Sequence, residues 1–184
     1  MRYVKLILYF FFLAVILRFT VFLATDYQTF PGRNSMPFAM WTIDMVDLFI
    51  HEAGHLVFRL FGQVLYFMGG SLFQIILPVV TAIVFGRNNF RSLMFTLYWI
   101  GQSMVNVSIY IGDAPYQRLP LISLHALHDW HWLMVEMNWM DDIEMMASVV
   151  NVLGILVCAT GIFIGLYFVG TDGYNLFIKY KEKQ

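Results

Sequence analysis

Residues Trp41 to Phe61 read WTIDMVDLFIHEAGHLVFRLF, an apolar stretch interrupted by Asp44, Asp47, His51, Glu52, His55 and Arg59. These polar residues recur at steps of three and four, so they lie along one stripe of a helix whose remaining surface is apolar. Ionisable groups facing lipid are costly, so the stripe is expected to face a bundle interior or a water-filled cavity. That requirement describes a helix packed among other helices inside a membrane.

The rest of the chain fits such a bundle. Of 184 residues, 60% are hydrophobic and only 12% charged, far more apolar than a soluble domain. Four runs near the length that crosses a bilayer appear at Val4 to Ala24, Ser71 to Gly86, Ser92 to Gly112 and Met145 to Val169. The first run is basic at its start, carries Arg18 and lacks a small-x-small cleavage pattern, so it reads as a retained helix rather than a signal peptide. Gln74 and Pro78 in the second run predict a polar contact within the bundle and a kink. The turn-rich connector DYQTFPGRNSMP precedes the Trp41 helix. The expected architecture is an all-α, single-domain polytopic membrane bundle of about four spanning helices, plus an embedded or re-entrant helix at Trp41 to Phe61.

Charge placement supports that count. Arg2 and Lys5 near one end, Lys179, Lys181 and Lys183 near the other, and Arg87 and Arg91 in the loop RNNFR would all be cytoplasmic under the positive-inside pattern. The connector from Asp113 to Glu144 holds one arginine against six acidic residues and would lie on the opposite side. Both termini are therefore expected in the cytoplasm. A formal net charge of -1 with no basic patch argues against a nucleic-acid partner, and the single cysteine, Cys158, forms no internal disulfide. Membrane lipids and a membrane-bound or juxtamembrane peptide are the expected contacts.

Within the stripe, His51 and His55 are four residues apart, which brings two imidazoles to one helix face about 5–6 Å apart, close enough to share one zinc ion. Glu52, rotated about a quarter turn from His51, is placed to take a proton from water at the metal. Small Ala53 and Gly54 would leave room for a substrate backbone. Catalytic zinc usually has three protein ligands and one open position. Two stretches compete to supply the third: WIGQSMVNVSIYIGDAP, with Gln102, Asn106 and Asp113, and LHALHDWHW, with His125, His128, Asp129 and His131. Asp113 is the first choice and His128 the second. Asp47, one turn before His51, and Asp129 are candidates to orient a ligating imidazole. Trp130, Trp132 and Trp139 also suit an interfacial aromatic belt.

HEAGH at His51 to His55, MGGSLFQIILP at Met68 to Pro78, WIGQSMVNVSIYIGDA at Trp99 to Ala114, LPL at Leu119 to Leu121 and HDW at His128 to Trp130 together resemble the site-2 protease family of intramembrane zinc metalloproteases, in particular its short bacterial members. The resemblance implies a bacterial inner-membrane protein that hydrolyses peptide bonds of membrane-embedded substrates. It implies His51, His55 and Asp113 as zinc ligands, Glu52 as catalytic base and Asn106 as a polar partner of the substrate backbone. A rival expectation is a non-catalytic accessory subunit of a larger membrane complex, with a structural or vestigial metal site. A third is a metal or proton conduit along the stripe Asp44, Asp47, His51 and His55.

Overall fold

The computed structural model describes residues 2–27, 36–119 and 127–182. Most of the polar connector before the Trp41 helix, His125, Leu121 and Lys183 lie outside them. Among the described residues the regular structure is entirely helical, as expected of an all-α chain. The six α-helices are α1 (Arg2–Thr25), α2 (Phe38–Phe58), α3 (Gln63–Asn88), α4 (Leu93–Asp113), α5 (Asp129–Glu136) and α6 (Ile143–Lys181).

Local chemistry sets the breaks between them. Pro37, with φ -57° and ψ 139°, stands immediately before α2, where its fixed φ and missing donor suit a helix start. A 3₁₀ turn over Arg59–Phe61 leads to Gly62 at φ 94°, a conformation that favours glycine, and the chain reverses into α3. Between α3 and α4, the Asn89 side chain accepts a hydrogen bond from the Arg91 N–H at 3.2 Å and caps the turn Phe90–Ser92. α3 begins at Gln63 rather than Ser71 and runs through Pro78. Gly69 and Gly70, just before the expected start of this run, lie inside the helix.

Three of the helical segments are long and apolar enough to cross a membrane: Tyr3–Thr25, Gln63–Asn88 and Met140–Lys181. The Ser92 to Gly112 run, expected to be a fourth, is not among them. Its helix, α4, instead occupies the middle of the bundle, against α1, α3 and α6. Gln102, Ser103 and Ser108 are buried there, which lowers its hydropathy without exposing polar groups to lipid.

α4 and α6 pack antiparallel through small residues. Gly154, Cys158, Gly161 and Gly165 recur along one face of α6 at steps of four, three and four, and all four are buried. A Cβ on Gly154 would come within 2.7 Å of the Gly101 carbonyl oxygen, so the two backbones nearly touch. Such small-residue seams let membrane helices gain van der Waals contact where burial from water supplies little.

Polar side chains hold the other helices to α4. Asp47 is fully buried and accepts hydrogen bonds from Trp99 Nε1 at 3.0 Å, Ser103 Oγ at 3.3 Å and Gln74 Nε2 at 3.4 Å. Asp44 accepts from Gln102 Nε2 and from the Tyr27 hydroxyl, each at 2.9 Å. Asn106 donates to Tyr27 at 2.7 Å and accepts from Gln74 at 2.9 Å. The expected polar contact of Gln74 is thus present, and α2, α3, α4 and the turn that follows α1 are cross-linked by one network. Gly154→Leu should overpack the α4–α6 seam and cost about 1–3 kcal/mol, read as a lower unfolding temperature in detergent. An unchanged transition would show that the two helices do not approach this closely.

Candidate metal centre

The second half of α2 carries His51 and His55, both buried, with their rings nearly perpendicular and their centroids 4.8 Å apart. Close contact with α3 positions them. Gly54 faces the Gly69 backbone, and a Cβ on Gly69 would come within 2.6 Å of Phe58 Cβ, so each glycine lets the facing helix approach where a side chain of its own would not fit. The space expected beside Gly54 for a substrate backbone is therefore filled by α3. A Cβ on Gly70 would lie 2.5 Å from His51 Nε2, so this glycine makes the room in which the imidazole sits. From the other side, the Tyr110 ring of α4 stacks on His51 at 6.2 Å between centroids, inclined by 25°.

The third group comes from α5. Asp129 Oδ2 lies 2.9 Å from His51 Nε2 and 3.1 Å from His55 Nε2. These three residues are the ones whose ligand atoms gather within 4.8 Å of one another among the described residues. Two atoms bound to one zinc with bonds near 2.0 Å in tetrahedral geometry are about 3.3 Å apart, so the separations suit a shared ion after small adjustments. His55 Nδ1 also donates to the Tyr66 carbonyl at 2.8 Å. That bond fixes the ring orientation and turns Nε2 toward the cluster, the arrangement ligating histidines commonly adopt. Two neutral imidazoles and a carboxylate are a donor set suited to zinc. Burial works to raise the Asp129 pKa, but hydrogen bonds from His51 and His55 outweigh it and hold the carboxyl below its usual range.

The HDWHW segment docks α5 with each of its residues. His128 Nε2 lies 3.2 Å from Asp113 Oδ2, and Asp129 reaches the two histidines. Trp130 Nε1 donates to Ser71 Oγ at 3.0 Å, and His131 Nδ1 donates to the Ala114 carbonyl at 2.8 Å. Trp132 stacks on Phe67 with centroids 4.3 Å apart. Trp130 and Trp132 therefore pack α5 onto α3, while Trp139 is exposed.

The expected site residues separate into four places. His51, His55 and Asp129 converge, with Asp129 a donor in the cluster rather than an outer partner. Asp113 and His128, the two expected third ligands, meet each other instead. Asp113 also accepts the Leu119 N–H at 2.8 Å, so its carboxylate closes the turn after α4. Asp47 and Asn106 belong to the interhelical network described above. Glu52 is exposed on the outer side of α2, near enough for its charge to act on His55, and is not among the three clustered donors. The signal for Asp129 is a carboxylate flanked by His128 and His131 in HDWH, and the histidine next to it competes for the same role.

Asp129→Ala should abolish stoichiometric zinc in the purified protein, whereas Asp113→Asn should leave it bound, as measured by metal analysis; the opposite pattern would restore Asp113 as the ligand. Gly70→Ala should push the His51 imidazole aside and weaken zinc affinity by about 10–100-fold, the range seen when the surroundings of a ligand are disturbed. No known protein family, curated protein or solved structure matches the chain, and its site stands on the geometry of its own residues.

Proposed function

We propose that the protein is an intramembrane zinc metallopeptidase, as its resemblance to the site-2 protease family implies. The observation that carries this reading is the convergence of His51, His55 and Asp129, with Glu52 next to His51 in the chain and near enough for its charge to act on His55. Three protein donors leave a fourth position for water, which is the pattern of catalytic rather than structural zinc. Zinc held there would supply a Lewis acid for a peptide carbonyl and lower the pKa of water to about 7.

The chain's own residues then have distinct tasks. His51 and His55 would hold the ion together with Asp129, and the Tyr66 carbonyl keeps the His55 ring from turning. Glu52 accepts the proton of the attacking water as the new C–O bond forms. It returns that proton to the departing amine as the C–N bond breaks. Substrates would be membrane-bound or juxtamembrane peptides, because the site lies within a bundle whose outer surfaces are apolar.

The helix pairings support a topology of four crossings, by α1, α3, α4 and α6, with α2 entering and leaving on one side. α1, α2 and α4 run in the same direction, as shown by the contacts Phe19 with Tyr98, Met40 with Tyr98, Tyr27 with Asn106 and His51 with Tyr110. The end of α1 is level with Asn106, while the start of α2 is level with Tyr98. Eight residues of α4 separate those levels, a rise of about 12 Å, so α2 begins deeper in the bundle than the level at which α1 ends. Both chain ends then lie on one side, which the lysine and arginine pattern makes cytoplasmic in a bacterial inner membrane.

Glu52→Gln should retain zinc and abolish peptide cleavage, with kcat falling by at least about 100-fold, measured on a transmembrane peptide in detergent or vesicles. Loss of zinc would instead make Glu52 a ligand, and retention of full activity would remove it from the mechanism. A fourth protein ligand in the metal's X-ray absorption spectrum would favour the accessory-subunit reading. Reporter fusions at Asn88 and Glu144 should report opposite sides of the membrane, Asn88 cytoplasmic; both on one side would overturn the four-crossing topology.

A further inference from the structure

A second polar site occupies the opposite end of the bundle. Arg91 precedes α4 and Tyr110 stacks on His51 near the far end of that helix, a separation of about 30 Å along its axis. Here the start of α1, the turn between α3 and α4 and the last turns of α6 surround a cavity of about 470 Å³. Asp172, Asn175 and Lys179 line it from α6 at steps of three and four, so they share one face. Lys5 lines it from α1 and Arg91 from the turn.

The charges around the cavity are not balanced within it. Arg91 pairs with Asp172 through both guanidinium nitrogens, the longer bond being 2.8 Å, and lies over the rings of Phe168 and Tyr9 at 4.9 and 5.5 Å. That pair anchors the turn to α6 and leaves the guanidinium fixed. Lys5 and Lys179 are exposed, and among the described residues neither has an acidic partner. Three cations against one carboxylate leave two positive charges facing one cavity.

Around the cavity on α1, and within about 13 Å of it along α6, apolar side chains are exposed. Val4 and Ile7 on α1 are 59% and 66% exposed, and Phe163 and Tyr167 on α6 are 70% and 66% exposed. Both helices are long and apolar enough to cross a membrane, so these side chains would face acyl chains while the lysines stand at headgroup level. A free phosphate would use the cations alone, whereas an anionic phospholipid uses both surfaces. We propose that this cavity binds the phosphate headgroup of an anionic phospholipid, held by Lys5 and Lys179 on the scaffold fixed by the Arg91–Asp172 pair, with its acyl chains along α1 and α6.

The test uses the full chain, purified in detergent and stripped of lipid, with phosphatidylglycerol, phosphatidylcholine or inorganic phosphate added. Retention is read by native mass spectrometry and stabilisation by the unfolding temperature. The parent protein should retain phosphatidylglycerol over phosphatidylcholine, and the double variant Lys5→Gln/Lys179→Gln should lose about tenfold or more of that preference. Lys181→Gln, which alters a lysine at the same end outside the cavity, should keep it. Equal retention of the two lipids by the parent, or an undiminished preference in the double variant, overturns the proposal. The same loss in Lys181→Gln would reduce the effect to diffuse surface charge and also overturn it. Full stabilisation by inorganic phosphate alone would make this a free-anion site and reject the lipid.

Discussion

Burying the polar stripe of α2 is the constraint from which the remaining arrangement follows. A carboxylate such as Asp47 cannot be fully enclosed by apolar side chains without a large desolvation cost, so donors must be brought to it from neighbouring helices. Trp99, Ser103 and Gln74 meet that need, and their helices are thereby fixed in register with α2. One turn later the same stripe presents two imidazoles, and the added α5 supplies the carboxylate they face. Structural and chemical polar groups thus occupy successive turns of one helix.

Close backbone approach makes this possible. Glycines at the α2–α3 contact let His51 and His55 reach their partners, and the glycine seam between α4 and α6 holds the central helix against its longest neighbour. The two seams act on different sides of α4 and serve different ends. One shapes the donor cluster directly; the other stiffens the frame on which α2 and α5 are docked. Interactions in each are short-range packing contacts, which change steeply with a single added methyl group.

Much of this was legible from residue type and spacing. Apolar runs located the long helices, and the three- and four-residue steps in Trp41 to Phe61 identified the stripe and the histidine pair. Periodicity cannot say which distant residue completes a cluster, however, because that depends on how the helices dock. Asp113 looked suitable as a carboxylate at a helix end, yet it accepts the Leu119 N–H in the turn that follows and lies beside His128. Asp129 was recognised only as an outer partner, since nothing in the local sequence reveals that Trp130 and Trp132 anchor α5 on α3. The Ser92 to Gly112 run read as a crossing from its length, yet the polar residues it buries between helices keep α4 out of the set apolar enough to span.

The hydrogen bond from His55 to the Tyr66 carbonyl has an evolutionary consequence. Its acceptor belongs to the main chain, so the orientation of this imidazole does not depend on the side chain at position 66. Substitutions there can alter the ring packed against His55 while the acceptor itself persists. Only a shift of α3 would remove it, and the glycines that set the spacing of α2 and α3 are the positions where such a shift would begin. Sequence change that threatens the histidine would thus arise at residues that carry no chemistry of their own.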